Sequence, residues 1–161
     1  MFNHDILLIK LKFYGIRGKD FQLYQSYLGN RYCKTEIYNG SKNSNKVSNW
    51  AKVRHEVPQG SILGPLLFLL YINDLPKIIN KTSAPITFAY DTSILFAHSN
   101  LIDFNKNICI VFTTLNKWLR ANHLSLNFNK TNYVHFTTKR NMSINLKIGF
   151  NDNFITQNSW G

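Results

Sequence analysis

The chain has 161 residues, enough to bury the core of one domain, and 19 Lys and Arg stand against 8 Asp and Glu for a formal charge of +11. Hydrophobic residues at 44% and aromatics at 14% exclude intrinsic disorder as the default reading. The longest apolar run, residues 62–72, contains Gly64 and Pro65 and falls well short of the about 20 residues a membrane helix needs.

Residues 1–55 carry ten bases and three acids, residues 56–100 two and three, and residues 101–161 seven and two. Basic flanks around a near-neutral middle suit a polyanion-binding protein, and charge alone leaves RNA, DNA and an anionic membrane equally open. Lysines on a solvated face would look the same. Cys33 and Cys109 make neither a disulfide framework nor a metal cluster and fit a reducing compartment. The N-terminus, with Asp5, Lys10 and Lys12 among its apolar residues, does not resemble a signal peptide, which points to an intracellular protein, nuclear or cytoplasmic.

In chain order, Asn3 caps a helix that reaches Leu11 or Phe13 and ends at Gly15, and a second helix covers residues 20–28. Strands follow over residues 32–38 and 50–55, joined by a polar loop, residues 39–48, that opens with the turn signal Asn39-Gly40. Ser61 caps a helix over residues 62–75, apolar nearly all round and therefore buried, which Pro76 stops. Two short strands, residues 86–89 and 93–97, flank a bend holding Tyr90, Asp91 and Thr92. Asn100 caps a long amphipathic helix over residues 101–121, with Phe104, Ile108, Phe112, Leu115 and Leu119 at helical spacing. Strands at residues 124–128 and 133–137 flank Asn129-Lys130-Thr131, and residues 143–156 form a hairpin around Asn151-Asp152-Asn153. The pattern predicts an α+β fold, a layer of antiparallel strands backed by helices.

Three places carry candidate chemistry. Asp91, in a tight bend between apolar strands, either serves the turn's own backbone or projects a carboxylate of the kind that holds Mg²⁺ in phosphoryl transfer. Pro58-Gln59-Gly60-Ser61 is either a plain capped turn or a loop whose glycine lets a flat substrate approach the backbone, with helix N–H groups behind it for phosphate. Lys130 is a solvated turn residue or a cation for a leaving phosphate. The five histidines are scattered at no ligand spacing.

Together the motifs are specific. "EVPQGSILGPLLFLLYINDLP" from Glu56, "FAYDTSILF" from Phe88 and "WLRANHLSLNFNKTNYVHF" from Trp118 strongly resemble a reverse transcriptase, nearest to those of jockey-like non-LTR retrotransposons of animals. The opening "FNHDILLIKLKFYGIRG" and "SYLGNR" extend the resemblance over nearly the whole chain. It implies an RNA-directed DNA polymerase that uses Mg²⁺, dNTPs, an RNA template and a DNA primer. Residues 1–161 would form an incomplete palm with an antiparallel sheet, beginning after the first catalytic strand and ending before the thumb. Gln59, Gly60 and Ser61 match the nucleotide-binding loop, Phe88 to Asp91 the catalytic hairpin, and Lys130 the lysine-bearing turn that assists pyrophosphate departure.

The chain also departs from that family. Tyr90 stands where the resemblance places the first Asp of the catalytic pair and its principal metal ligand, leaving Asp91 as the second. The family's other metal-binding Asp lies on a strand just upstream of the "NHDILL" segment, and Asp5 falls on the helix after it. Glu56 replaces the usual glycine before Val-Pro-Gln-Gly-Ser. A catalytically inactive copy is therefore expected. The alternatives are a non-catalytic nucleic-acid-binding remnant, using aromatics such as Tyr24, Tyr32, Trp50 and Trp118, or an unselected product.

Overall fold

The computed structural model describes residues 3–38, 45–53, 55, 57, 60–88, 91–136, 146, 148–150 and 153–157. The chain divides into two compact units, Met1–Tyr71 and Ile72–Gly161.

In the first unit, α1 spans His4–Phe13. The Asn3 side chain accepts the amides of Asp5 at 2.8 Å and Ile6 at 3.2 Å, satisfying two donors that the first turn leaves open. Asp5 in the first turn and Lys10 and Lys12 in the last complement the helix dipole. Leu7 and Leu11, one turn apart, are fully buried. The helix closes through Tyr14 onto Gly15 at φ +91, a conformation open to glycine. The second helix, α2, runs Gly18–Leu28 and packs on α1. It starts two residues before the expected position, and its N-cap residue Arg17 makes no side-chain cap bond.

The strands expected at residues 32–38 and 50–55 are shorter and interrupted. β1 (Tyr32–Cys33), β2 (Glu36–Ile37), β3 (Lys46–Val47) and β4 (Ala51–Lys52) make one antiparallel ribbon, β1 with β4 and β2 with β3. Tyr32 faces Lys52, while Glu36 faces Val47, so the returning strand holds one more residue than its partner. That extra residue is a bulge. Ser48 pairs with Thr35 beside it, its N–H donating to the Thr35 carbonyl at 2.9 Å and its Oγ accepting from the Thr35 N–H at 2.9 Å, so the surplus falls at Asn49–Trp50, opposite Lys34. Lys46 and Val47, expected in a loop, are thereby strand residues, while the Asn39-Gly40 turn lies outside the described residues.

The expected single helix over residues 62–75 is two. α3 spans Leu63–Ile72 and α4 spans Leu75–Ile79, with Pro76 in the first turn of α4. The proline starts a helix instead of stopping one, since its missing N–H and preset φ suit that position. Nor is α3 buried all round: Leu67 and Tyr71 are buried, while Leu66 and Leu69 are 45% and 44% exposed.

In the second unit, β5 (Ala84–Phe88) pairs antiparallel with β6 (Asp91–Leu95). Asp91 and Thr92, expected in the bend, are strand residues. The long helix α5 spans Leu101–Ala121 as its periodicity predicts, with the Asn100 side chain accepting from Ile102 N–H at 2.8 Å. Its buried residues Ile108, Val111, Phe112, Leu115 and Trp118 form a core with Leu75 and Ile79 of α4, which packs against it.

No strand forms at residues 124–128. The chain leaves α5 through His123 at φ +51, with Leu124 N–H donating to Leu119 O at 2.8 Å and His123 N–H to Arg120 O at 3.0 Å. This closing motif is followed by a turn in which Lys130 N–H donates to Asn127 O at 3.1 Å, so the backbone here is spent locally. β7 (Asn132–Tyr133) is shorter than expected, and β8 (Gly149–Phe150) with β9 (Asn153–Phe154) forms the predicted hairpin. β10 (Thr156–Gln157) runs parallel to β7, against the all-antiparallel expectation. The fold is α+β, and among the described residues its strands form separate two-stranded pairs. No helix of the described residues is long and apolar enough to cross a membrane.

Candidate functional site

Within the first unit the loop ahead of α3 brings Gly60 and Ser61 against α2. Gly60 holds φ +78, where a Cβ would be strained whatever space surrounds it. The Ser61 hydroxyl lies 2.7 Å from the Tyr27 hydroxyl and accepts the Gly64 N–H at 3.0 Å, as a residue capping a helix start does. The expected cap is thus present, and it joins the loop to α2. Gly64 is buried so closely that an added Cβ would sit 2.9 Å from Val57 Cγ2. Tyr27 was not legible as a partner, being 34 residues from Ser61 with no pattern linking them. Gln59, with Pro58 and Glu56, lies outside the described residues.

In the second unit α4 sets the β5–β6 hairpin: Ser83 Oγ donates to Ile79 O at 2.5 Å, tying the end of the helix to the start of the strand. The register pairs Phe88 with Asp91 as the last pair of the ladder. Both are exposed, Phe88 at 80%, so the Asp91 carboxylate stands in solvent beside an open aromatic ring. Tyr90 lies outside the described residues. Lys130 is exposed in the turn after α5, on a different element from Asp91. Another acid, Asp74, has a structural partner instead: the buried Trp118 donates its indole N–H to Asp74 Oδ2 at 3.1 Å.

Among the described residues no three His, Cys, Asp or Glu side chains gather into a set that could hold a metal ion. Asp91 is one carboxylate, and the sequence places a tyrosine beside it. A pair of divalent ions held 3.5–4 Å apart needs several oxygen ligands, so these donors do not fit such a pair. Cys33 and Cys109 are exposed free thiols.

The glycine loop before α3, the β5–β6 hairpin with Asp91 at its turn end and the turn bearing Lys130 follow one another along the chain. The family model for reverse transcriptase (RNA-dependent DNA polymerase) matches residues 2–153, and the chain belongs to that family. It is similar to the probable RNA-directed DNA polymerase from transposon X-element of Drosophila melanogaster, 32% identical over 123 residues, covering 74% of this chain and 13% of that protein. A second relative, the probable RNA-directed DNA polymerase from transposon BS of the same species, is 29% identical over 148 residues, covering 84% of this chain and 15% of that protein. The chain thus spans a small part of the length of either relative. No solved structure matches it.

Proposed function

We propose that residues 1–161 are part of the palm of an RNA-directed DNA polymerase from a jockey-like non-LTR retrotransposon, and that this copy does not itself catalyse DNA synthesis. The observation that carries the reading is the Phe88–Asp91 pair closing the β5–β6 ladder within a chain that matches the family over residues 2–153. In this reading RNA template, DNA primer and dNTP are the partners. Gln59, Gly60 and Ser61 form the loop that meets the incoming nucleotide, its backbone held open by the glycine. Lys130 stands at the position from which a catalytically intact relative would offer positive charge to the departing pyrophosphate. The family relation suggests Mg²⁺ as the ion of the reaction, and the described donors of this chain do not fit it. Tyr90 brings a phenol, neutral at physiological pH and a poor ligand for that hard cation, to the position of the principal carboxylate.

Primer extension on poly(rA)–oligo(dT) with Mg²⁺ tests both parts. No extension is expected from the unmodified chain, and measurable synthesis would overturn the claim of inactivity. Extension gained by Tyr90→Asp assigns the loss to that residue. A silent Tyr90→Asp assigns it to the wider ligand set.

A further inference from the structure

We infer that the β1–β4 ribbon of the first unit is a grip for single-stranded nucleic acid, in which Tyr32 and Trp50 stack on bases while Lys34 and Lys52 hold the intervening phosphates. The inference deepens the nucleic-acid reading above and rests on it.

The register creates the surface. Side chains alternate across a strand, and residues directly opposite in an antiparallel pair share a face. Tyr32 faces Lys52 and Cys33 faces Ala51, and next along β1 Lys34 meets the bulged Asn49–Trp50 segment. The Lys34 Nζ lies 5.3 Å from the Trp50 ring centroid, in agreement with that placement. One face of the ribbon therefore presents Tyr32 beside Lys52 and Lys34 beside Trp50, an aromatic diagonal crossed by a cationic one. Diagonal neighbours in such a pair stand about 7–8 Å apart, which leaves each ring room for its own base.

This face has no intramolecular core to serve. Trp50 is 65% exposed and Tyr32 is 56% exposed, and both residues of every strand in the ribbon are exposed. Large exposed aromatics are unfavourable in water and are retained where a partner covers them. Charge selects that partner. Lys34 and Lys52 are the cations of this face, while Arg31 and Lys46 fall by the same alternation on the ribbon's other face, the Arg31 guanidinium lying 5.8 Å from the Tyr27 ring centroid. Glu36, the acid among the described ribbon residues, accepts a hydrogen bond from Asn45 Nδ2 at 2.9 Å. Rings that accept any base, interleaved with cations that follow a backbone, are what a sequence-tolerant single-strand site requires. A stacked duplex would hide its bases from both rings.

Fluorescence anisotropy with a labelled 20-nucleotide single-stranded RNA or DNA, using the full chain, tests the inference. Trp50→Ala and Tyr32→Ala should each weaken binding roughly 5- to 150-fold, the range that follows from one lost base stack. Lys34→Gln with Lys52→Gln should flatten the slope of log K against log salt by about 1.4, as two lost phosphate contacts on a single strand would. Phe136→Ala, an equally open ring elsewhere at 86% exposure, should leave affinity unchanged. All four ribbon side chains are solvent-exposed, so circular dichroism should show an unaltered fold. An unmodified chain that binds no oligonucleotide at low salt overturns the nucleic-acid partner itself. A chain that binds, but keeps its affinity in the Trp50 and Tyr32 variants, overturns the ribbon alone. Tighter binding to duplex, or to vesicles of anionic phospholipid, also overturns it.

Discussion

The indole N–H of Trp118 donates to Asp74 Oδ2 at 3.1 Å, joining two residues 44 positions apart in the second unit. Trp118 is 6% exposed, so its N–H has little access to water if the carboxylate is removed. Asp74→Ala should lower stability by about 1–3 kcal/mol, the cost of a buried donor left without its acceptor. Asp74→Asn retains an acceptor oxygen and should lose less. Urea unfolding of the two variants checks the order, and equal losses would show that the bond to Trp118 is not what matters.

His123 holds φ +51 at the close of α5, a position where glycine carries no Cβ penalty. His123→Gly should therefore stabilise the chain by about 0.5–1 kcal/mol, because the strain relieved exceeds the added freedom of the unfolded chain. Thermal melts give the sign directly. A lower melting temperature would mean that the imidazole contributes more than the backbone strain costs.

Gly64 and Val57 are a steric pair. A Cβ on residue 64 would lie 2.9 Å from Val57 Cγ2, and a β-branched side chain has little freedom to move aside. Gly64→Ala should cost about 1–3 kcal/mol, as overpacking does. Combined with Val57→Ala, it should cost less than the two single changes together. Simple additivity in denaturant melts would count against the contact.

Asp91 is exposed at the end of the β5–β6 ladder. Asp91→Asn should shift stability by no more than about 0.5 kcal/mol, the usual range for a surface change. A larger loss would indicate that the carboxylate serves the hairpin and not a ligand.

The local features were legible because local geometry creates them. Asn3 and Asn100 cap their helices through amides two or three residues ahead, and the 3.6-residue period of Ile108, Phe112 and Leu115 reveals α5. The same local signals misled where tertiary context intervened. Alternating residues at 124–128 suggested a strand, but the closing motif at His123 and the turn at Asn127 use those backbone groups first. One apolar run suggested one buried helix, yet it gives α3 with one face open and a separate α4 that Pro76 begins. Asp91 was recognised as the candidate carboxylate, although its place within β6 depends on the pairing with Phe88.

The sequence by itself determined the family, through the order of its motifs, and the presence of Tyr90 where a carboxylate would be expected. It also determined the caps and the long helix, since each rests on residues within one turn of each other. Only the tertiary structure decided that Ser61 meets Tyr27, that Asp74 is held by Trp118, that Tyr32 faces Lys52 and that Lys34 lies over the Trp50 ring. Those pairings join segments that lie far apart along the chain. The register of the ribbon depends on one extra residue between Ser48 and Ala51, a feature that no pattern of neighbouring side chains encodes.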